Sequence, residues 1–419
     1  MNKEKTVCSN CEIIQWKAIG GCGMIRSIEL FCGTGGLALG LHKAGFAHEA
    51  LIEWDKDSCD NIKANITSGF PGIQNWNVKQ ADVRLVSYDE FGIGIQFVTG
   101  GPPCQPFSLG GKHKANDDAR DMFPEAVRAV RELQPQGFIF ENVRGLTRKS
   151  FSTYFNYIIL QLSHPDVVKT VEMKWTDHLR LLEEYHTAGA QRGLTYNVVF
   201  RLVNAADYGV PQVRQRVVIV GFRSDLGISW AFPEPTHSKT ALEFAKKVDG
   251  TYWEEHRIAK SDRNQVSLWE QDNVIRLSDK NRKKRWQTVR DAINGLPDPR
   301  DDCSSAFQNH EFRAGARSYA GHSGSVMDEP SKTIKAGSHG VPGGENMLVL
   351  DDGSLRYYTV RESARIQTFP DNYIFHGSWT ESMRQIGNAV PVRLASIIGE
   401  SVVNQIERIR DHDVNSKLA

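Results

Sequence analysis

The sequence predicts an α/β protein: a doubly wound, mostly parallel sheet with helices on its faces, joined to a second, smaller, loop-rich domain. From Ile25 onward short apolar strands alternate with amphipathic helices, the pattern of a parallel sheet built from successive β–α units. Two later runs, Tyr196–Ala205 and Arg216–Phe222, keep the strand pattern with no long helix between them, which points to an antiparallel completion of the sheet. After about Trp230 the regularity lapses and Pro, Gly, Ser and His rise, as in loop-dominated structure.

The elements follow in order. Met24–Phe31 reads as a buried strand, and Leu37, Leu41 and Ala44 then recur at helical spacing before Gly45, a helix-ending residue. Further strands are expected at His48–Trp54, in the residues ending at Asp82 and Val83, at Ile95–Gly100 and at Gly137–Val143. Helical periodicity returns near Tyr358, and the terminal helix through Ile406 is expected to pack back on the first domain. The expected boundaries are 1–24 for an N-terminal extension, 25–229 for a ligand-binding domain, 230–356 for the second domain and 357–419 for the returning segment. No internal repeat or low-complexity tract interrupts this plan.

Bulk properties exclude several classes. A chain of 419 residues suffices for one large core and a smaller one. No apolar run approaches bilayer length, so a membrane role is not expected. Met1–Lys5 is polar with no apolar stretch behind it, so no secretory signal is read and the cytoplasm is the expected compartment. Seven scattered cysteines do not make a disulfide framework. Cys8 and Cys11, with Cys22 as the only further thiol nearby, form either a zinc site or, the reading favoured here, part of a loosely packed extension. A net charge of +1 neither demands nor excludes nucleic acid, since the placement of charge decides binding. The basic run Lys280–Arg285, closed by Trp286, is either a solvated face or a phosphate contact.

Two motifs carry chemistry. Phe31–Ala38 joins the first strand to the first helix, and its Gly33, Gly35 and Ala38 satisfy G-x-G-x-x-G/A, a loop that lets backbone approach a nucleotide at a helix N-terminus. Glu53 ends the second strand 18 residues after Gly35, where an acid binds ribose hydroxyls. Trp54 is placed to stack on an adenine and Asp82 to accept from its amine. The competing reading is a tight-turn glycine cluster with a surface acid, and nicotinamide dinucleotides use the same arrangement. The second motif is Gly100–Ser108, in which Cys104 sits in a Pro-Pro-Cys-Gln turn directly after a strand, at the sheet edge where ligands bind. A lone cysteine is usually a small buried hydrophobe, but one held by two prolines beside a ligand cleft is better read as a nucleophile.

With these motifs in place the sequence resembles the cytosine-5 DNA methyltransferases of bacterial restriction–modification type, over nearly all of Ile25–Ile406. The matching blocks are FCGTGG, Glu53-Trp54, Asp82-Val83, PPCQPFS, Glu141-Asn142-Val143, Gln212–Arg216, RESARIQTFP and QIGNAVP (Gln385–Pro391). The resemblance implies a Rossmann-like, S-adenosylmethionine-dependent methyltransferase sheet, with 230–356 as a target-recognition domain that reads duplex DNA in the major groove. It implies that Cys104 adds to carbon 6 of cytosine, that Glu141 contacts N3, that Arg216 holds O2 and that Arg214 is turned toward the phosphate backbone. For S-adenosylmethionine it implies Phe31, Gly33, Gly35, Gly36, Glu53, Trp54, Asp82, Val83, Pro103, Asn388 and Val390, with Met122 at the border; no metal is expected.

Carbon 6 is inaccessible in stacked DNA, so the cytosine must be flipped out. Leu109–Asp121, polar and glycine-containing, is expected to cover it as a lid. His339 and the Lys280–Arg285 run are the expected DNA-facing elements, and the role of the Thr147–Arg192 insert is left open. Double-stranded DNA is the expected partner of a monomer, with a cognate restriction endonuclease as its functional counterpart. The rival readings are a tRNA cytosine-5 methyltransferase, a non-catalytic DNA-binding module and a nicotinamide oxidoreductase.

Overall fold

Ile25–Leu30 (β1) is almost wholly buried although Arg26, Ser27 and Glu29 alternate with its apolar residues, and it lies inside a seven-stranded sheet. In the computed structural model, residues 24–103, 121–189, 193–263, 267–277, 283–318, 323–336 and 346–418 are described. The chain continues through Gly36–Lys43 (α1), Phe46–Glu53 (β2), Lys56–Thr67 (α2), Val78–Gln80 (β3), Phe97–Gly100 (β4), Phe123–Leu133 (α3) and Gly137–Val143 (β5). Ser152–Ser163 (α4) and Trp175–Thr187 (α5) then precede Tyr196–Asn204 (β6) and Gln215–Arg223 (β7). The spatial order is β3-β2-β1-β4-β5-β7-β6. Strands β1 to β5 pair in parallel, while β7 runs antiparallel to both β5 and β6. The order reverses between β1 and β4, and in such sheets ligands bind outside the carboxyl ends of the strands at that point.

The third strand stops short of its expected end. It closes at Gln80, and Asp82 instead starts a single 3₁₀ turn, Val83–Leu85, by accepting a hydrogen bond from the Arg84 N–H. A short acidic side chain that bonds its own backbone two residues on competes with the ladder, which is why the strand ends.

Each sheet face carries its own core. Ile28, Leu30, Phe138 and Phe140 pack with Phe123, Val127 and Val130 of α3 and with Phe155 and Ile158 of α4. On the other face Phe97, Ile139 and Val220 meet Leu37 and Leu41 of α1 and Leu394, Ile398 and Val402 of the terminal helix. That helix, Val392–Leu418, lies directly on α1: a Cβ built at Gly40 would strike the Ala395 Cβ, and one at Gly36 would sit 2.5 Å from the Val390 carbonyl oxygen. Only glycine admits so close an approach.

Between these lobes of sequence come His237–Ser238 (β8), Lys239–Lys247 (α6), Thr251–Glu255 (α7), Leu268–Leu277 (α8), Lys284–Arg285 (β9), Val289–Ile293 (α9), Ser325–Val326 (β10), Met347–Val349 (β11) and Leu355–Tyr357 (β12). The stretch 230–356 thus holds short helices that its turn-rich composition does not announce. Leu242, Ala245, Tyr252 and Trp253 form a small core of their own. Val289, Ile334 and Leu348, by contrast, share a core with Ala38 and Leu39 of α1 and with Ile366 and Ile386 of Val360–Ile366 (α10) and Trp379–Asn388 (α11). The terminal helix completes the count as α12. Trp379–Ile409 is apolar enough by average hydropathy to cross a bilayer, which the sequence reading did not register, but 67% of its most apolar window is buried within the protein, as for the core helices of a globular fold.

Candidate functional site

The glycine loop leaves β1 in a conformation few residues adopt. Phe31, Gly33 and Gly35 have φ of 55°, 52° and 83°, so the left-handed region recurs at alternate positions and the chain doubles back into α1. The loop is pinned from β2: the Gly33 N–H donates to Glu53 Oε2 at 2.8 Å, while Glu53 Oε1 accepts from the N–H groups of Trp54 and Asp55, both at 3.0 Å. Burial raises the Glu53 pKa, and these three backbone donors pull it back. Next to it Trp54 is 70% exposed, one of several large apolar side chains that stand singly at the surface.

The remaining residues expected around the cofactor line the same edge. The backbone of Val390 closes on Gly36, and Asn388 stands exposed just before it at the end of α11. Pro103 follows β4, and its carbonyl accepts from the Met122 N–H at 3.2 Å. Val83 is buried after β3. The Asp82 carboxylate is already paired with Arg84, which holds its pKa below the usual carboxylate range.

On the other side of the reversal point, Glu141 near the carboxyl end of β5 faces β7. Its Oε1 lies 2.6 Å from Arg216 Nε, and both side chains are nearly buried. Burial pushes the Glu141 carboxyl above its ordinary range, with Arg216 and then Arg214 pulling it down. The antiparallel register makes the encounter: Val143 pairs with Arg216 and Glu141 with Val218. Asn142 turns the other way and donates from Nδ2 to the Pro102 carbonyl at 2.8 Å, tying β5 to the turn after β4. That turn leads directly into Cys104, which lies outside the described residues.

Arg214 departs from the expectation of a phosphate contact. It is fully buried, and its guanidinium donates to the carbonyls of Ile334 (3.0 Å), Gly387 (2.7 Å) and Ala389 (2.9 Å). Two neighbours escaped the sequence reading. Gln212 accepts from the Ile334 N–H and donates to Gln367 Oε1, and Gln367 Nε2 donates to the carbonyls of Ile386 and Ala389. This buried network knits three sequence blocks together behind the glycine loop. The available signal was a glutamine in each of two matching blocks, QVRQR and RESARIQTFP, since a buried amide requires partners.

Other expected elements fall elsewhere. Lys280 to Arg282, His339, the lid residues Leu109 to Arg120 and the cysteines Cys8, Cys11 and Cys22 lie outside the described residues. Of the basic run, Arg285 is engaged by Asp291 and Glu255, whereas Lys284 is exposed.

Comparison with known proteins agrees with this arrangement. The family model of the C-5 cytosine-specific DNA methylases matches residues 25–166 and 172–404. The chain is 30% identical over 382 residues to the Type II methyltransferase M.NgoMIV of Neisseria gonorrhoeae, covering 91% of this chain and 98% of the relative. It is also 30% identical to M.Eco47II of Escherichia coli, over 91% of this chain and 79% of that one. Among solved structures, a DNA modification methyltransferase encoded within an E. coli prophage superposes with a TM-score of 0.53 at 21% identity, over 91% of this chain and 99% of that chain, a likeness of fold. A match through all but the ends of the chain, in the order its strands and loops require, makes the protein a member of the C-5 cytosine-specific DNA methylase family and a DNA cytosine-5 methyltransferase.

Proposed function

We propose that the protein methylates carbon 5 of a flipped-out cytosine in a specific duplex DNA site, with S-adenosylmethionine as donor and Cys104 as covalent nucleophile. The observation that carries this reading is the Glu141–Arg216 pair, 2.6 Å apart and nearly buried beside the turn that leads into Cys104. Carbon 5 of cytosine is a poor nucleophile until a thiolate has added to carbon 6. That addition drives electron density to N3, where an acid with a raised pKa donates a proton, and burial raises Glu141 in that sense. Arg216 orients Glu141 and holds the cytosine O2. Removal of the carbon-5 proton then expels the Cys104 thiolate and restores the enzyme.

The residues present fit the donor. Gly33 and Gly35 shape a cradle, Gly36 sits where a side chain would strike Val390, Glu53 is positioned for ribose hydroxyls and Trp54 offers an open ring for the adenine. Phe31, Asp82, Val83, Pro103, Met122 and Asn388 complete the proposed lining. Bound there, S-adenosylmethionine supplies an electrophilic methyl group. Arg214 is assigned to holding residues 334, 387 and 389 rather than to DNA.

In this reading 25–229 and 357–419 form the catalytic unit and 230–356 reads the target. The Type II names of the relatives support a bacterial modification enzyme. In this reading it acts as a monomer on DNA in the cytoplasm and protects it from a cognate restriction endonuclease. The test is methyl transfer from labelled S-adenosylmethionine to duplex DNA or tRNA by wild type and Cys104→Ala. Label in DNA, lost in Cys104→Ala, is expected; label in tRNA alone, or full activity of Cys104→Ala, overturns the reading. Duplexes containing 5-fluorocytosine should trap the adduct, because fluorine cannot leave as the proton does.

A further inference from the structure

The Thr147–Arg192 insert has no part in the chemistry above, yet α4 touches the base of the segment that carries Cys104. That segment leaves the described structure after Pro103 and returns at Asp121, and both ends are tied. Asn142 holds Pro102, and the Met122 N–H donates to the Pro103 carbonyl at 3.2 Å. Asp121 accepts from the Phe123 N–H through Oδ1 at 3.2 Å and from the Tyr154 hydroxyl through Oδ2. Tyr154, on the first turn of α4, is only 6% exposed.

The tyrosine is itself held in place. Its ring packs against Tyr157 and Trp175, each with centroids 5.8 Å away. Tyr157 in turn donates to His178 Nδ1 at 2.8 Å, and His178 Nε2 donates to the Val167 carbonyl at 2.9 Å. α4 and α5 thereby form an aromatic buttress that presents one hydroxyl to one carboxylate. A hydroxyl donating to a carboxylate is a strong and directional bond, and its acceptor lies one residue from the crosslink between the two ends of the segment.

We propose that Tyr154 is a positioning residue for the nucleophile: by holding Asp121 it fixes the start of α3 and, through the Met122–Pro103 bond, the residue that precedes Cys104. This rests on the reading of Cys104 as nucleophile. An anchor displaced by an ångström misplaces a reacting group far more than it disturbs binding. The insert therefore acts chiefly on the rate of thiolate attack, and less strongly on the cofactor through Pro103 and Met122, which border its proposed lining.

Tyr154→Phe deletes the hydroxyl and keeps the ring. Adduct formation on duplex DNA containing 5-fluorocytosine, under single-turnover conditions, should slow by about tenfold, the size of one hydrogen bond to a charged group. Cofactor affinity, measured by calorimetry, should fall by less than the rate does, because Pro103 and Met122 only border the proposed lining. Asp121→Ala, which also removes the acceptor of the Phe123 N–H, should lose at least as much, and the double variant should be no slower than Asp121→Ala, because Tyr154 acts on the segment through Asp121. Tyr157→Phe, which removes the neighbouring hydroxyl, should react at the wild-type rate. A wild-type rate in Tyr154→Phe, an equal loss in Tyr157→Phe, or additive defects in the double variant each overturns the proposal. Adduct formation by Cys104→Ala would instead sink the underlying reading and leave the Tyr154 measurement to stand on its own.

Discussion

Replacing Arg214 by methionine separates a structural clamp from a DNA contact. Methionine keeps the apolar stem but leaves the carbonyls of Ile334 and Gly387 without their donors, while that of Ala389 keeps Gln367. An unpaired buried acceptor costs about 1–3 kcal/mol, so two amount to roughly 2–6 kcal/mol. Against this stands the relief of burying a charge, itself worth several kcal/mol after relaxation. Desolvation already holds the Arg214 pKa well below its ordinary value, so that relief is real. The net loss should be about 3–4 kcal/mol, in the range measured when one member of a buried charged network is removed. For 419 residues, at about 2.1 cal/mol/K of unfolding entropy per residue, this lowers Tm by about 3–5 °C. Differential scanning calorimetry and the salt dependence of DNA binding, measured on the same variant, decide the matter. A phosphate-binding arginine would instead leave Tm unchanged and reduce the slope of log K against log salt by about one. That second pattern would refute the clamp.

Three further outcomes follow from the geometry. Gly36→Ala places a methyl 2.5 Å from the Val390 carbonyl and should cost about 1–3 kcal/mol while weakening S-adenosylmethionine binding, with Tm and calorimetric titration as readouts; no change in either would show that α11 and α12 yield freely. Trp54→Ala removes an exposed ring and should weaken cofactor binding by about three- to tenfold with Tm unchanged; a Tm loss would make Trp54 a packing residue. Glu29, fully buried on β1, has its carboxyl pushed up to about 8 by desolvation. The folded state therefore keeps a proton that the unfolded chain has lost, and stability falls as pH rises from about 4.5 to about 8. Glu29→Gln should flatten that slope in denaturant titrations across this window, and an unchanged slope would mean that Glu29 ionises freely in the fold.

Much of the fold was legible because hydrophobic periodicity reports burial directly. Ile25–Leu30 and Gly137–Val143 are buried strands of the kind a parallel sheet demands, and the absence of a long helix after Tyr196 foretold the antiparallel edge. The glycine loop was legible for the same reason, since left-handed backbone at Gly33 and Gly35 leaves its mark on residue type. Less visible were α6, α7 and α9 in the 230–356 stretch, helices of nine and five residues, too short to impose a period on the chain. The role of Arg214 was not legible at all. Its acceptors lie 120, 173 and 175 residues away, and no local pattern states that a guanidinium will meet three carbonyls rather than solvent. Glu141 and Arg216 were each visible as candidates, but their contact depends on the register of β5 against β7.

The contact between the glycine loop and the end of the chain bears on how the enzyme is born. Tyr373 donates its hydroxyl to the Thr34 carbonyl across 339 residues, and the face of α1 that carries Gly36 and Gly40 is covered only when Val390 and α12 arrive. A ribosome adding about 5–20 residues per second needs about 20–70 s to cover that span. Throughout that time the glycine loop has emerged without the helix that supports it. Cofactor binding, and with it methyl transfer, is thus deferred until Tyr373 and α12 have been made.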